Sequence, residues 1–383
     1  MAPAVYLDHA ATTPLDPRVR AAMLARLEGP PGNPSATHAA GREAHAAVER
    51  ARAEVAALIN APPAAIVFTS GATEADNLAI QGAARGAAGR GRHLVSLRTE
   101  HRAVLDPLAR LQREGFEVTL LAPGRDGLVA PAAFAAALTP ATTLASVMLV
   151  NNETGVVQDA AAFGAHCRAR GVLLHVDAAQ AAGRVPIDVE ALGADLVSLS
   201  AHKIHGPAGV GALYVRRAPR PALVPLQFGG GQEGGLRPGT LPVHQIVGMG
   251  AAFRIAAEEG AAESARLAAL AARLWAGLEP LGGVHLNGHP HQRAPHIVNV
   301  SFEGVDGEAL LAELAGLTVA SGAACSSESG EPSYVLRALG RPDPLAQASL
   351  RFSLGRTSSA ADVESAIGQV RAGVARLRRL APA

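Results

Sequence analysis

The segment VLLHVDAAQAAGRVPIDVEALGADLVSLSAHK, residues Val172–Lys203, contains two short apolar runs that are each followed by polar residues. The runs, Val172–Asp177 and Asp195–Ser200, have the length and composition of buried strands. In open α/β sheets, ligands bind beside the carboxyl ends of the strands. Asp177 and Lys203 stand at or just after these ends, so they are the first candidates for a functional site.

Runs of the same kind precede this segment. They are Ala65–Ser70, His93–Leu97, Phe116–Leu121 and Thr143–Val150. Alanine-rich stretches with helical patterns separate most of them. Alternation of strands and helices predicts an α/β fold with a mostly parallel central sheet and helices on both faces.

The pattern changes near Val243, where one long amphipathic helix or a kinked pair begins. Two further strands are predicted at His296–Phe302 and Ala348–Leu354, and helices at about Gly307–Ala315 and Ala360–Leu380. We therefore expect a large domain at residues 16–250. A smaller α/β domain should combine residues 1–15 and 251–383, with a mobile cysteine-bearing loop at about 320–333.

The composition excludes several classes of protein. The chain has 383 residues, of which 49% are hydrophobic and 17% charged, and its net charge is +1, which excludes a disordered chain and a strongly basic nucleic-acid binder. The N-terminus does not have the pattern of a signal peptide, and no apolar run is long enough to predict a membrane span. Two cysteines are too few for a disulfide framework, which favours a cytoplasmic protein.

Three features at the strand ends together predict a pyridoxal phosphate site. Lys203 can hold an aldehyde cofactor as a Schiff base, and Asp177 can keep a pyridine nitrogen protonated so that the ring accepts electrons. The helix start in GATEADN, residues 71–77, can bind a phosphate through its backbone N–H groups. Alternatively, Asp177 caps a helix and Lys203 lies on the surface. The chain has very few lysines, however, and arginine cannot form the Schiff base.

Several motifs in the same order resemble the cysteine desulfurases of the IscS/NifS type. They include YLDHAATTP (residues 6–14), FTSGATEADNLAI (68–80), HVDAAQAAGRVPIDV (175–189), SLSAHKIHGPAGVGALYVRR (198–217) and SLRFSLGR (349–356). The resemblance extends from about Val5 to Leu380, and SGAACSSESGEPSYVLRALG (321–340) is similar to the longer-loop group that serves iron–sulfur assembly. It implies the pyridoxal phosphate-dependent transferase fold type I, a homodimer, and conversion of L-cysteine and an enzyme thiol to L-alanine and an enzyme persulfide.

The resemblance also implies roles for individual residues. Cys325 would be the nucleophile, Lys203 the attachment lysine, and His101 a ring-stacking residue and proton carrier. The implied cofactor-binding residues are Ala72, Thr73, His101, Asn152, Asp177, Gln180, Ser200, His202, Lys203 and Thr240. Thr240 would reach the phosphate from the other subunit. Arg351 would bind the substrate carboxylate, with Asn152 on the same side.

Cys325 lies in ASGAACSSESGEPS, residues 320–333, among small residues that cannot build a core. A small-residue loop allows a thiol to travel between a buried cofactor and an outside acceptor, although the residues alone also fit an inert surface cysteine. The resemblance implies an iron–sulfur scaffold protein and other sulfur acceptors as partners, with tRNA thiolation as a further use. It also implies that Cys325 can serve as a metal ligand in a 2Fe–2S cluster shared with the scaffold.

Two departures from the family pattern affect these expectations. Pro238 stands where relatives often have serine, which stiffens the loop. Relatives often have about twenty more C-terminal residues that help to dock the scaffold, which leaves docking by this chain open.

Other functions remain open at this point. A different class-V enzyme, such as a small-amino-acid transaminase or a selenocysteine lyase, would use Lys203 without needing Cys325. A sulfur-relay or cluster-holding protein would need chiefly the thiol. Cys167 is predicted to pack inside a helix, and the histidines at residues 9, 38, 45 and 285–296 are predicted to be structural or surface groups rather than metal ligands.

Overall fold

The computed structural model describes residues 4–321 and 331–380. Its strands are β1 (Val5–Tyr6), β2 (Ile66–Thr69), β3 (His93–Leu97), β4 (Glu117–Leu121), β5 (Thr142–Met148), β6 (Leu173–Asp177), β7 (Leu196–Ser200), β8 (Gly211–Val215), β9 (Val284–Leu286), β10 (Ile297–Phe302), β11 (Leu317–Thr318), β12 (Ala320–Ser321) and β13 (Ser349–Ser353). The predicted strands of both sheets are confirmed.

The structure confirms the helices predicted from Val243, at about Gly307–Ala315 and at Ala360–Leu380, and adds others. The helices are α1 (Pro17–Glu28), α2 (Ala39–Leu58), α3 (Ala72–Gly86), α4 (Arg102–Arg113), α5 (Pro131–Ala137), α6 (Ala160–Arg170), α7 (Val243–Leu278), α8 (Gly307–Glu313), α9 (Tyr334–Ala338), α10 (Asp343–Gln347) and α11 (Ala360–Leu380). The long amphipathic segment forms the single helix α7 rather than a kinked pair.

The large sheet has the strand order β2-β8-β7-β6-β5-β3-β4. The strands from β7 to β4 pair in parallel, which confirms the predicted mostly parallel sheet. Strand β8 was not predicted, because glycines in GVGALYV weaken the strand pattern. It lies antiparallel between β2 and β7 and thereby brings the start of α3 beside the end of β7.

Alternating side chains of the large sheet enter two separate apolar clusters, as the two-residue period of a strand requires. On β5, Leu144 packs with α3 and α4, whereas Ala145 and Val147 pack with α2, α5, α6 and the first half of α7. Helices therefore cover both faces. Because helices cover both faces, the polar ends of the strands become the accessible part of the sheet.

A second sheet, β12-β13-β10-β9, is antiparallel, and β1 pairs with β11. Its core includes Leu7, Phe302, Phe352 and side chains from the second half of α7. The N-terminal segment thus packs with the C-terminal third. The predicted boundary near residue 250 falls inside α7, and the division into two domains stays a prediction. Among the described residues, no helix is both long and apolar enough to span a membrane.

Candidate active site

A cavity of about 420 Å³ lies at the carboxyl ends of the parallel strands. The sequence-predicted residues that line it are Ala72, Thr73, His101, Asn152, Asp177, Gln180, Ser200, His202, Lys203 and Arg351. They come from β6, β7, β13, the start of α3 and intervening loops. The fold brings these residues together, while the role of each one stays a prediction.

Lys203 follows β7 and is the only lysine in the sequence. Its Nζ donates hydrogen bonds to the carbonyl oxygens of Ala10 (2.6 Å) and Ala11 (2.8 Å). The amine is therefore directed into the cavity by two backbone acceptors from the N-terminal segment. Lysine is the side chain that can bond covalently to a carbonyl ligand at this point.

Asp177 ends β6 and is 3% exposed. Its Oδ1 accepts a hydrogen bond from the Ala179 N–H at 2.9 Å. Burial raises the pKa of the carboxyl, while the Ala179 N–H and the charges of His101 and Lys203 act in the opposite direction. A carboxyl in this environment gains strongly from a cationic ligand, because a buried charge is stabilised by a close opposite charge.

His101 is the N-cap of α4, and its Nδ1 accepts from the Ala103 N–H at 3.1 Å. In the neutral ring this bond leaves the proton on Nε2. Burial lowers the pKa of His101, Asp177 raises it and Lys203 lowers it further. The neutral imidazole can therefore exchange a proton with a bound molecule through Nε2.

The start of α3 has the geometry of an anion site. Gly71 precedes the helix with φ 157°, in the region open to glycine, and no side chain caps the helix. Gly211 of β8 lies so close that a Cβ atom there would be 2.6 Å from Gly71 Cα. The N–H groups of Ala72 and Thr73 can therefore donate hydrogen bonds to a phosphate, as helix N-termini commonly do.

Two neighbouring side chains complete this wall. Ser200 ends β7, is 1% exposed and is the cross-strand partner of Gly211. His202 Nδ1 lies 3.1 Å from Thr12 Oγ1, and burial lowers its pKa to about 4 with a smaller contribution from Lys203. His202 is thus neutral at physiological pH and can donate or accept a hydrogen bond.

Arg351 and Asn152 lie on the opposite side of the cavity. Arg351 donates from one terminal nitrogen to Asp8 Oδ1 (2.7 Å) and from the other to the Asn152 carbonyl oxygen (2.8 Å). Gln180 Nε2 donates to Ala10 O at 2.8 Å. The two contacts of Arg351 fix a guanidinium that is only 2% exposed, with a planar donor edge suited to a carboxylate.

Buried polar atoms in this cavity test whether a polar cofactor and substrate fit. Arg351 Nε and Asn152 Oδ1 have no hydrogen-bond partner within residues 4–321 and 331–380. Buried polar atoms are rarely left unpaired in native proteins. Together with the uncapped helix start, Asp177 and Lys203, they match the phosphate, ring nitrogen and aldehyde of pyridoxal phosphate and the polar groups of an amino acid.

Two predicted site residues do not line the cavity as it is described. Thr240 is exposed, and its predicted position near the phosphate depends on a second subunit. Cys325 lies outside the described residues. The described residues on both sides of this segment nevertheless lie beside the cavity. Ala320 is the cross-strand partner of Arg351, and Ser333 donates a hydrogen bond to Glu153, the neighbour of Asn152.

The remaining cysteine and histidines have structural surroundings. Cys167 in α6 is 1% exposed, which confirms the predicted packing role, and burial raises its pKa to about 12. His9 is buried and His38 caps α2. No group of three or more metal-ligating side chains that could hold an ion occurs in the described parts of the chain.

Sequence reasoning missed several residues that shape the cavity. Asp8, Ala10 and Ala11 position Arg351 and Lys203, and Asp76 of α3 lines the wall as a buried acid. The motif LDHAATTP gave a signal for the N-terminal residues, but Ala10 and Ala11 act through backbone oxygens that no side-chain pattern reveals.

Comparison with known proteins agrees with this geometry. The family model described as "Aminotransferase class-V" matches residues 5–365. A protein named "Cysteine desulfurase IscS" from Methylococcus capsulatus is 57% identical over 99% of this chain and 94% of its own length, and one of the same name from Salmonella schwarzengrund is 54% identical with the same coverage. The solved structure of a "NIFS-LIKE PROTEIN" has a TM-score of 0.91 at 33% identity, covering 97% of this chain and 100% of that one.

Proposed function

The chain belongs to the class-V aminotransferase family, and we propose that it is a pyridoxal phosphate-dependent cysteine desulfurase that supplies sulfur for iron–sulfur assembly. The observation that carries the proposal is the meeting of Lys203, Asp177 and Arg351 in one cavity, beside both described flanks of the Cys325 segment. This cavity can bind an aldehyde cofactor and an amino-acid carboxylate, and it can receive a thiol that accepts sulfur.

Lys203, Asp177 and the α3 start would hold the cofactor. Bound pyridoxal phosphate supplies a ring that accepts the electrons released when the substrate Cα–H bond breaks. Asp177 holds the proton on the ring nitrogen, and the N–H groups of Ala72 and Thr73 bind the phosphate, with Ser200 and His202 beside them. Lys203 Nζ and His101 Nε2 are the groups placed to move protons at the substrate carbons.

Arg351 would orient the substrate. Its guanidinium binds the cysteine carboxylate through the Nε edge, while Asp8 and the Asn152 carbonyl oxygen keep the group from rotating. Because the substrate amine would bond to the cofactor aldehyde in place of Lys203, an α-amino acid would be held at both ends with its thiol directed towards the remaining side of the cavity. This positioning converts the sulfur transfer into a step between fixed partners.

Cys325 would accept the sulfur. Its thiolate attacks the substrate sulfur, the new S–S bond forms as the Cβ–S bond breaks, and the electron pair left on carbon takes a proton to give the methyl group of alanine. The persulfide then passes its outer sulfur to an acceptor. A free thiolate on Cys325 requires reducing surroundings, which supports the cytoplasm as the proposed location of the protein.

A homodimer is part of the proposal. Phe228 is 86% exposed at the start of the glycine-rich loop that leads to Thr240, and Leu27 of α1 is 57% exposed. Large apolar side chains exposed to this degree are typical of association surfaces. A second copy covering this loop would place Thr240 near its partner's phosphate. Phe228→Asp should shift the protein towards the monomer in sedimentation velocity, and an unchanged sedimentation coefficient would contradict this surface.

The acceptors are proposed from the relatives' chemistry. An iron–sulfur scaffold protein would take sulfur from Cys325, tRNA thiolation would be a further use, and Cys325 would ligate a 2Fe–2S cluster held jointly with the scaffold. Iron retained in a co-purified complex of the wild type, and lost with Cys325→Ser, would support the shared cluster.

The test of the central proposal follows the sulfur. The purified protein should bind pyridoxal phosphate and form one alanine for each sulfur removed from L-cysteine. After incubation with cysteine and alkylation, mass spectrometry should find an added sulfur on the peptide containing Cys325. Sulfide release at the wild-type rate by Cys325→Ser would show that the assigned nucleophile is wrong. Turnover of selenocysteine without turnover of cysteine would instead favour a lyase.

A further inference from the structure

Four neighbouring strands carry a polar layer on the face of the large sheet that α3 covers. The first residues on this face form an apolar level: Leu94, Leu144, Leu173 and Leu196. Two residues further along each strand, the side chains on this face are polar: Ser96, Ser146, His175 and Ser198. All four polar residues are less than 1% exposed. A buried polar level repeated on β3, β5, β6 and β7 indicates a built network, because each member needs a partner.

The hydrogen bonds of this layer converge on His175. Its Nδ1 lies 2.8 Å from Ser146 Oγ, and its Nε2 lies 2.9 Å from Ser198 Oγ. Ser198 also acts on the carboxyl of Asp76 on α3, where it lowers the pKa, and Asp76 Oδ1 has no hydrogen-bond partner among the described residues. Asp76 Oδ1 is 3.5 Å from His175 Nε2, so the serine hydroxyl is the closer partner of the ring. A continuous chain of groups therefore connects the cavity wall to the interior of the sheet.

The cavity has three acidic side chains in its lining, and their surroundings differ. Glu74 forms an ion pair with Arg237 at 2.8 Å. Asp177 is close enough to Lys203 and His101 for their charges to act on it. Asp76 is 1% exposed and has only the imidazole of His175 as a basic neighbour among its described contacts. Of these three acids, Asp76 therefore has the fewest neighbours that could stabilise a negative charge.

We propose that Asp76 is a positioning residue held as a neutral carboxylic acid, so that Asp177 is the single ionised carboxylate facing the cofactor's ring nitrogen. The proton of Asp76 is donated to Ser198 Oγ, Ser198 donates to His175 Nε2, and His175 Nδ1–H donates to Ser146 Oγ. Each of these three donors has an acceptor in the layer, and no member is charged. The inference rests on the proposed binding of pyridoxal phosphate.

Electrostatics around Asp76 supports the neutral form. Burial raises the pKa of Asp76 well above its ordinary range, the charges of Asp177 and Glu100 raise it further, and the Ser198 hydrogen bond opposes them. Burial also lowers the pKa of His175 to about 3, so the ring does not supply a positive charge. An ionised Asp76 would repel both Asp177 and a phosphate at the start of its own helix.

Infrared difference spectroscopy of the holoenzyme tests the protonation state directly. Wild type minus Asp76→Asn should show the carbonyl stretch of a protonated carboxylic acid at neutral pH. If Asp76→Asn does not fold, Ser198→Ala provides the second arm, because loss of the bridging hydroxyl should shift the same band to higher frequency. Absence of the band from the first difference, or an unshifted band in the second, overturns the proposal.

Measurements of cofactor affinity distinguish the role of Asp76 from that of Asp177. Asp76→Asn retains an N–H donor and no charge, so its Kd for pyridoxal phosphate should stay within about twofold of the wild type. Asp76→Ala removes the donor and should weaken binding severalfold. Asp177→Asn removes the charge and should weaken it by about tenfold or more and change the absorbance of the bound cofactor. Equal losses for the two asparagine variants contradict the proposal. A wild type that binds no cofactor and forms no alanine contradicts the proposed function instead, whatever the infrared band shows.

Discussion

Replacement of Glu153 by glutamine should change how the stability of the protein depends on pH. Glu153 follows Asn152 in the cavity wall, is 1% exposed and accepts a hydrogen bond from Ser333, the N-cap of α9. Burial raises the pKa of Glu153 from 4.5 to about 7, against the opposing effects of Ser333 and Arg351. The native state therefore binds this proton more tightly than the unfolded chain does.

The sign and size of the effect follow from this difference. A raised native pKa contributes stability that is fully present below about pH 4.5 and is lost as pH rises through about 7. Between about pH 5 and pH 8, the loss in the free energy of unfolding is about 2.5 kcal/mol. With an unfolding entropy of about 2.1 cal/mol/K per residue, a chain of 383 residues converts this loss to about 3 °C in Tm.

Differential scanning calorimetry with saturating pyridoxal phosphate measures this effect. The Tm of Glu153→Gln minus that of the wild type should rise by about 3 °C from about pH 5 to pH 8, because the glutamine has no proton to lose. Glu28→Gln, an exposed control at the end of α1, should give a flat difference. A difference for Glu153→Gln that is also flat to within about 1 °C would refute the reasoning, since it would show that Glu153 keeps the same protonation in both states.

Three further changes test the cavity. Arg351→Lys should raise KM for cysteine by about tenfold or more in steady-state assays, because lysine lacks the planar donor edge, and an unchanged KM would remove Arg351 from the substrate site. Cys325→Ser should abolish persulfide detected by mass spectrometry, while Cys167→Ser, buried in α6, should retain it; the reverse pattern would exchange their roles. Gly211→Ala would place a methyl group 2.6 Å from Gly71 Cα and should weaken pyridoxal phosphate binding by about tenfold in a fluorescence titration, and unchanged affinity would contradict the cradle at α3.

The large sheet and the main residues of its cavity were predictable because their signals are local. Buried parallel strands are continuous apolar runs, and the chain has to become polar where each strand reaches the accessible edge. Asp177 ends β6 and Lys203 follows β7, so the sequence placed both at strand ends, and the adjacency of the two strands in the sheet brings them together. The scarcity of lysine then indicated which basic residue has a chemical role.

Other parts of the site depend on contacts between distant parts of the chain. Strand β8 begins at Gly211, shortly after Gly209, so its pairing with β2 and β7 defines it more clearly than its sequence does. Asp76 lies one helical turn after Ala72, and the sequence pattern does not distinguish it from other residues of α3. Its burial depends on the polar layer beneath the helix. Thr240 is meaningful only beside a second subunit. Single-chain patterns do not contain these relationships.

The N-terminal segment Leu7–Thr13 gives the clearest physical reason why the two ends of the substrate site meet. Leu7 packs in the core of the smaller sheet, Asp8 pairs with Arg351, and the Ala10 carbonyl oxygen accepts from Lys203. One short segment, which turns at residues 9–11, therefore contacts both the guanidinium that would bind the carboxylate and the lysine amine. Because an Asp8 side-chain contact and an Ala10 backbone contact hold the two groups through the same segment, this segment would set the distance between the two ends of a bound α-amino acid.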